Sequence, residues 1–129
     1  MAVAANIETL IVDDQRSTLQ LVRSSLLQLG FKRIRECEDG EAARLLLETV
    51  RVDLIFSDLN MPRLDGLGLL RAVRNNPAIS KTAFIMLTGR TDTALVQEAV
   101  KLGVNNYIVK PFNLATLTKK IEAVVGPLT

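Results

Sequence analysis

The sequence predicts an α/β fold, a doubly wound parallel sheet of five strands covered by helices on both faces. Three observations lead to this prediction: apolar runs alternate with helical patterns along the chain, three of the runs are almost uninterrupted, and Gly or Pro follows most helical patterns. Strict alternation of strand and helix is typical of parallel sheets. Uninterrupted runs are expected where a strand is buried on both faces.

Five short apolar or β-branched runs are the predicted strands. The second run carries Lys32, Arg33 and Arg35, which favours an edge position because an edge strand can expose its charges to solvent. The predicted strands cover residues 7–12, 34–37, 54–57, 84–87 and 107–109.

Apolar residues at intervals of three and four predict a helix after each strand. Gly30, Gly103 and Gly126 stand where the first, fourth and fifth patterns end, and Pro77 breaks the chain after the third. The predicted helices cover residues 19–29, 41–50, 67–73, 95–102 and 114–124.

Length and composition indicate one domain, residues 1–129, with no room for an output domain. The chain is 48% apolar and 23% charged, an ordinary globular balance, and its net charge of +2 is too small to indicate nucleic-acid binding. No stretch approaches the ~18 apolar residues of a membrane span. A single cysteine, Cys37, and the lack of a basic leader favour a cytoplasmic location.

The chain contains no histidine. This excludes a histidine nucleophile, base or metal ligand, and it excludes a phosphohistidine donor within the chain.

Polar residues whose side chains can bind ligands or react follow four of the predicted strands. Asp13 and Asp14 follow the first strand, Asp58 the third, Thr88 the fourth and Lys110 the fifth. Because ligands of open parallel α/β sheets bind at the carboxyl ends of the strands, we expect these side chains to converge at one edge.

Each of these residues also has an ordinary structural interpretation. Asp13-Asp14 and Thr88 are residue types that cap helices, Asp58 lies where a turn is expected, and an isolated Lys110 is usually solvated. Their joint placement after successive strands favours a common site.

Three carboxylates held together repel one another unless a cation joins them. A hard divalent ion with oxygen ligands resolves this conflict, and Mg²⁺ suits a site that also binds phosphoryl oxygens. A carboxylate is a competent nucleophile that forms acyl phosphates. The cluster therefore predicts phosphoryl transfer onto an aspartate, with Lys110 and Thr88 contacting the transferred group.

Taken together, the motifs resemble the receiver domains of two-component response regulators, most closely those of the single-domain chemotaxis type. The resemblance covers the chain from Ile7 to about Val125 and implies a flavodoxin-like fold with strand order 2-1-3-4-5. It is carried by Val12-Asp13-Asp14, Asp58-Leu59-Asn60-Met61-Pro62, Asp65-Gly66, Thr88-Gly89 and Lys110-Pro111-Phe112.

The resemblance assigns a role to each matching residue of the metal site. Asp58 would be the phosphoacceptor, and Asp14 and Asp58 would bind Mg²⁺ directly. The main-chain carbonyl of Asn60 would be a further metal ligand, and Asp13 would act through a water molecule.

The resemblance also assigns residues that contact the phosphoryl group and respond to it. Thr88 and Lys110 would contact the phosphoryl oxygens, and the Lys110–Pro111 peptide bond would be cis. Tyr107 matches a switch aromatic that moves inward when Thr88 shifts; the plainer interpretation is a half-buried ring on an exposed strand.

Two positions depart from the chemotaxis type. Leu59 stands where that type often has Trp, and Arg90 where it often has an acid. In such domains, Asn60 and the position of Arg90 flank the path of the water that hydrolyses the acyl phosphate. Asn60 and Arg90 are therefore candidates for tuning the lifetime of the phosphorylated state.

The implied function is a stand-alone response regulator, which catalyses only its own phosphorylation and dephosphorylation. Its donor would be a histidine kinase or a phosphotransfer protein. Its output would be protein binding at the face formed by the fourth helix, fifth strand and fifth helix, with Lys101, Tyr107 and Lys119 as candidates. The pathway stays open between a flagellar switch, a phosphorelay intermediate and a phosphate sink for a shared kinase.

Three other functions fit parts of the sequence. A phosphatase of the haloacid dehalogenase type also uses an Asp nucleophile and Mg²⁺, but it needs a second Asp where this chain has Asn60. A flavodoxin-like cofactor binder would need a phosphate loop where Asp13-Asp14 stand. A degenerate receiver used only for binding would not need the intact set of acids.

Overall fold

The computed structural model describes residues 2–89 and 92–129. Its strands are β1 (Glu8–Val12), β2 (Arg33–Cys37), β3 (Leu54–Asp58), β4 (Ala83–Thr88) and β5 (Asn106–Val109). Its helices are α1 (Arg16–Gln28), α2 (Gly40–Leu46), α3 (Gly66–Asn75), α4 (Thr93–Lys101) and α5 (Leu114–Val125). The strands form one parallel sheet in the order β2-β1-β3-β4-β5, which confirms the predicted α/β fold and strand order.

The helices cover the two faces of the sheet unequally. Leu26 of α1 and Ile121 of α5 are buried in one apolar cluster, against one face. Leu70 of α3 and Ala99 of α4 belong to a second cluster that also contains α2. Each face therefore has its own apolar layer, as expected for a doubly wound sheet.

The charged second strand lies at an edge, as predicted. Arg33 and Arg35 are exposed there, and the guanidinium of Arg33 donates a hydrogen bond to Glu8 on the neighbouring strand at 3.0 Å. Charges on this strand remain hydrated because only one of its sides is paired.

Most element boundaries differ from the predicted ones by a few residues, and three of the differences are informative. β3 and β4 each extend one residue further and end on Asp58 and Thr88, the two polar residues of interest. The second helix was predicted to reach residue 50 but ends at Leu46. Thr49 and Val50 are β-branched and have low helix propensity, which explains the early end.

Both ends of the described chain meet at the amino edge of the sheet, where strands begin. The backbone N–H of Ala2 donates to the carbonyl of Pro127 at 2.8 Å, and that of Thr129 donates to the carbonyl of Ala2 at 2.9 Å. A short 3-10 helix, Ala4–Asn6, which the sequence did not predict, precedes β1. Among the described residues, no helix combines the length and apolar character needed to cross a membrane.

Candidate functional site

Three carboxylates converge at the carboxyl edge of the sheet, as the sequence predicted. Asp13 directly follows β1, Asp14 is next to it, and Asp58 is the last residue of β3. Each offers a carboxylate oxygen within 4.8 Å of the others. Asp13 is fully buried and Asp58 is 9% exposed, whereas Asp14 is exposed to solvent.

Lys110 joins two of these carboxylates. Its Nζ lies 3.1 Å from Oδ2 of Asp13 and 3.0 Å from Oδ1 of Asp58. The other oxygen of Asp13, Oδ1, accepts a hydrogen bond from the backbone N–H of Gln15 at 2.9 Å. Asp13 therefore does not cap α1, and Lys110 is paired rather than solvated, so the structural interpretation is wrong for these two residues.

Burial and charge act on the acid–base properties of this pair. Burial, and next the charge of Asp13, raise the pKa of Asp58 although Lys110 opposes the shift. For Lys110, burial is the largest single effect and lowers the pKa, but the hydrogen bond to Asp58 and the charges of Asp13 and Asp58 together raise it. The ammonium therefore stays protonated while the carboxylates beside it remain under mutual repulsion.

The hydroxyl of Thr88 lies at the end of β4, the strand next to that of Asp58. Thr88 is 1% exposed, and its Oγ1 has no hydrogen-bond partner among the described residues. A buried hydroxyl without a partner is costly, and native proteins retain one where a ligand completes it. Thr88 therefore has a buried hydroxyl available for a hydrogen bond at this edge, and it does not cap a helix.

A contact next to Thr88 was missed by the sequence analysis. The backbone N–H of Gly89 donates to Oδ2 of Asp92 at 2.9 Å. Asp92 precedes α4 but its carboxylate does not cap that helix. An Asp shortly before a helix reads as a cap in any sequence, so no local signal distinguishes the two arrangements.

Asn60 lies in the loop between β3 and α3, directly after the strand that carries Asp58. Its side chain is exposed. The loop is closed at its base because the backbone N–H of Gly66 donates to the carbonyl of Leu59 at 2.9 Å. The described structure thus brings Asn60 to the same edge as the three acids. Arg90, the other candidate for tuning, lies outside the described residues.

The Tyr107 ring projects from the same face of the sheet as Thr88. Met86 pairs with Tyr107 and Thr88 with Val109, and partners in a parallel ladder point to the same side. Tyr107 is 36% exposed, and Nζ of Lys120 lies 4.7 Å from the centre of its ring. Of the other candidates for an output face, Lys101 and Lys119 are both exposed.

The donor set fits a magnesium ion. Three carboxylates converge, and Thr88, whose hydroxyl has no partner among the described residues, ends the strand next to that of Asp58. Carboxylate and carbonyl oxygens are the ligands that Mg²⁺ prefers, usually with some water ligands retained. The exposure of Asp14 is consistent with a partly hydrated ion. The Lys110–Pro111 peptide bond is cis, as the resemblance implied.

Known proteins with the same architecture match almost the whole chain. A sequence model described as "Response regulator receiver domain" matches residues 9–122. A Rhizobium etli protein named "Probable chemotaxis protein CheY" is 47% identical over 128 residues, with 99% of each chain covered.

Solved structures agree with this match. The chemotaxis response regulator CheY4 of Vibrio cholerae superposes with a TM-score of 0.82 at 35% identity, covering 90% of this chain and 96% of that chain. The receiver domain of a sensor histidine kinase from Pseudomonas aeruginosa, solved with a magnesium ion coordinated in its active site cleft, gives 0.84 at 28% identity. That match covers 94% of this chain and 98% of that one.

Proposed function

The chain belongs to the response regulator receiver domain family, and from this premise we propose that it is a signalling switch that is phosphorylated on Asp58 in the presence of Mg²⁺. One observation carries the proposal: Lys110 bridges Asp13 and Asp58 at 3.1 and 3.0 Å, while the buried hydroxyl of Thr88 on the neighbouring strand has no partner among the described residues. A cation and a free donor beside a carboxylate are the groups that phosphoryl transfer onto that carboxylate needs.

The chemistry is a displacement at phosphorus. A carboxylate oxygen of Asp58 forms a new bond to phosphorus, and the bond from phosphorus to the donor breaks, leaving its electron pair on the donor atom. If the donor is a phosphohistidine, the imidazole nitrogen keeps that pair. Lys110 neutralises charge on the transferred oxygens, and the hydroxyl of Thr88 donates a hydrogen bond to one of them.

Asp14, Asp58 and the main-chain carbonyl of Asn60 would hold the metal ion, with Asp13 acting through a water molecule. When bound, Mg²⁺ supplies positive charge that neutralises the carboxylates and the phosphoryl oxygens. Among the described residues, Lys110 is the cation paired with both carboxylates when no metal is bound, which is consistent with the raised pKa of Asp58 that follows from its burial and from Asp13.

We further propose that phosphorylation is read at the surface of α4, β5 and α5. Thr88 and Tyr107 share a face of the sheet, so movement of Thr88 toward a phosphoryl group opens space toward which the ring of Tyr107 can turn. Exposed Lys101 and Lys119 flank the region and suit an acidic segment of a partner. The donor of the phosphoryl group would be a histidine kinase or a phosphotransfer protein.

The pathway we propose is chemotaxis, because relatives that match this chain over 99% and 92% of its length carry chemotaxis names. A deletion strain should lose directed swimming, and the wild-type chain but not Asp58→Asn should restore it. Normal chemotaxis in the deletion strain would favour a phosphorelay role instead.

The lifetime of the phosphorylated state stays a separate prediction. Asn60 and Arg90 are proposed to border the approach of water to the acyl phosphate, and we expect the long side chain of Arg90 to hinder it. Arg90→Ala should therefore shorten the lifetime of phospho-Asp58 and leave Mg²⁺ affinity unchanged. Release of labelled phosphate from the two proteins measures this, and a longer lifetime in the variant would contradict it.

A phosphorylation assay tests the proposed function. Incubation with acetyl phosphate and Mg²⁺ should add one base-labile group, seen by intact mass, and Asp58→Asn should abolish it. The matched control is Glu38→Gln, since Glu38 lies at the same edge but is exposed and paired only with Arg16 among the described residues. Labelling that persists in Asp58→Asn would place the nucleophile elsewhere.

A further inference from the structure

The loop between β3 and α3, which carries Asn60, lies directly against the start of α2. Gly40 is the first residue of that helix and is buried. A Cβ atom placed on Gly40 would lie 2.0 Å from the carbonyl oxygen of Leu64 and 2.8 Å from its carbonyl carbon. Both distances are too short for real atoms, and both partners are backbone, so no side-chain rotation can relieve them.

We propose that Gly40 is a positioning residue for the metal site: its lack of a side chain lets the loop sit where the carbonyl of Asn60 can bind the ion. This inference rests on the proposed function. Its basis is close approach and not backbone conformation, since Gly40 is not among the glycines with positive φ. Gly40 lies on a different element from the acids, and neither motif nor spacing connects it with the site.

The loop cannot easily absorb a push on Leu64. Its base is fixed at Leu59, whose backbone N–H donates to the carbonyl of Leu87 at 3.1 Å and whose carbonyl accepts from Gly66 at 2.9 Å. Closer to the contact, the N–H of Leu64 donates to the carbonyl of Pro62 at 2.8 Å. A shift of Leu64 is therefore transmitted along the few residues that separate it from Asn60.

One further contact joins the loop to the start of α2. Arg63, next to Leu64, has a φ of 69°, an uncommon left-handed conformation for a residue with a side chain. Its guanidinium lies 3.7 Å from the carboxylate of Asp39, which also accepts a hydrogen bond from Ala42 and so caps α2. The start of α2 and the loop are thus joined by the close contact at Leu64 and by this ion pair.

The consequence for metal binding follows from the ligand requirements of the ion. Mg²⁺ demands near-ideal octahedral geometry, whereas Ca²⁺ tolerates irregular geometry and longer bonds. A displaced Asn60 carbonyl should therefore weaken Mg²⁺ binding more than Ca²⁺ binding. A general loss of fold stability would not discriminate between the two ions.

Calorimetric titration of Gly40→Ala with MgCl₂ and CaCl₂ tests the proposal. We expect Mg²⁺ affinity to fall at least about tenfold, as for supporting residues of other metal sites, and Ca²⁺ affinity to fall less. The titrations are run with an osmolyte that stabilises folded proteins, and circular dichroism verifies that the variant is folded when measured.

The matched control is Gly68→Ala, because Gly68 approaches the same leucine. A Cβ there would lie 2.5 Å from Cδ1 and 3.2 Å from Cγ of Leu64, and 3.2 Å from Oδ1 of Asp65. All three are side-chain atoms, which can move more easily than the backbone atoms that Gly40 faces. Its Mg²⁺ affinity should stay within about twofold of the wild type.

The outcomes separate this inference from the proposed function on which it rests. Wild-type Mg²⁺ affinity in folded Gly40→Ala overturns the positioning role alone, and so does an equal loss for both ions. A wild-type protein that binds no Mg²⁺ overturns the metal site and this inference with it.

Discussion

Loops between strands and helices form both edges of the sheet, but the polar groups at the two edges differ in how they are paired. At the carboxyl edge, Asp13 and Asp58 share the cation Lys110, and among the described residues Thr88 has an unpartnered hydroxyl. At the amino edge, the Arg74 guanidinium donates five hydrogen bonds. The carboxyl edge thus has a polar group without a hydrogen-bond partner among the described residues, whereas every N–H of the Arg74 guanidinium at the amino edge has an acceptor.

Arg74 lies in the last turn of α3 and connects two loops. Its acceptors are the carbonyls of Ser80, Thr82 and Gly103 and the side-chain oxygen of Asn105, at 2.7 to 3.1 Å. Asn105 also accepts the backbone N–H of Phe84 at 2.8 Å. Burial lowers the pKa of Arg74. Carbonyl oxygens accept hydrogen bonds from its charged guanidinium. We therefore expect Arg74 to contribute more to the free energy of unfolding than the polar groups at the carboxyl edge do.

The largest expected effect comes from breaking the amino edge. Arg74→Ala leaves several acceptors without their donor, and we expect the free energy of unfolding to fall by about 3 kcal/mol. Urea denaturation measures this loss. Mg²⁺ affinity of the folded variant should stay unchanged because none of these contacts reaches the carboxyl edge.

Arg71→Ala is the control for that prediction, since Arg71 lies on the same helix but is exposed. Its free energy of unfolding should change by less than about 0.5 kcal/mol. Equal effects of the two substitutions would show that the hydrogen bonds of Arg74 do not make that larger contribution to the free energy of unfolding.

The opposite sign is expected at the carboxyl edge. Asp58→Asn removes a carboxylate that is buried beside Asp13, while Lys110 keeps its bond to Asp13. We expect the metal-free protein to gain about 1 kcal/mol at neutral pH, a gain typical of relaxing a functional site. Urea denaturation in the presence of a chelator measures it, and saturating Mg²⁺ should reverse the order by stabilising only the wild type.

The pH dependence of this gain has a definite sign. The folded-state pKa of Asp58 is raised above its ordinary value of 3.8, so ionising Asp58 costs more in the folded than in the unfolded chain. That cost is fully present above the folded pKa and disappears as the pH falls through it toward 3.8. The advantage of Asp58→Asn should therefore shrink on acidification, and a growing advantage would contradict the assigned cause.

The residues that gather at the carboxyl edge could be predicted from the sequence because the signals for them are local. Asp13, Asp58, Thr88 and Lys110 each follow an apolar run, and parallel strands bring their carboxyl ends together whatever the loops between them do. The same logic predicted the edge position of β2 from its charges. These inferences need only the period of the pattern and the topology.

The amino edge and the Gly40 contact could not be predicted, since both depend on residues far apart in the chain. Arg74 resembles any basic residue in the last turn of a helix, yet it bonds to Gly103, 29 positions away. Gly40 resembles an ordinary glycine at a helix start, and only the folded loop places Leu64 against it. Packing between distant loops leaves no periodic signal.

The smallest expected change in the free energy of unfolding comes from removing a single buried hydroxyl, and it tests the comparison of the two edges at one residue. Thr88 and Thr9 are both 1% exposed and both lie on strands, but the hydroxyl of Thr9 donates to the carbonyl of Ile7 at 3.3 Å. Removing an unpartnered hydroxyl relieves a desolvation penalty, whereas removing a bonded one loses a hydrogen bond. Thr88→Val should therefore leave the free energy of unfolding unchanged or raise it by up to about 1 kcal/mol, while Thr9→Val should lower it by about 1 kcal/mol.

Phosphorylation assays measure the contribution of the Thr88 hydroxyl to function separately from its contribution to the free energy of unfolding. Thr88→Val should slow labelling by acetyl phosphate and abolish phosphorylation-dependent partner binding, because the hydroxyl that would donate to one phosphoryl oxygen is lost while Lys110 remains. Thr88→Ser keeps the hydroxyl and should retain both, although loss of the methyl group lowers stability by about 1 kcal/mol. Thr9→Val should label like the wild type. If Thr88→Val instead destabilised the protein as much as Thr9→Val does, its hydroxyl would already be satisfied, and the contrast between the two edges would fail at this residue.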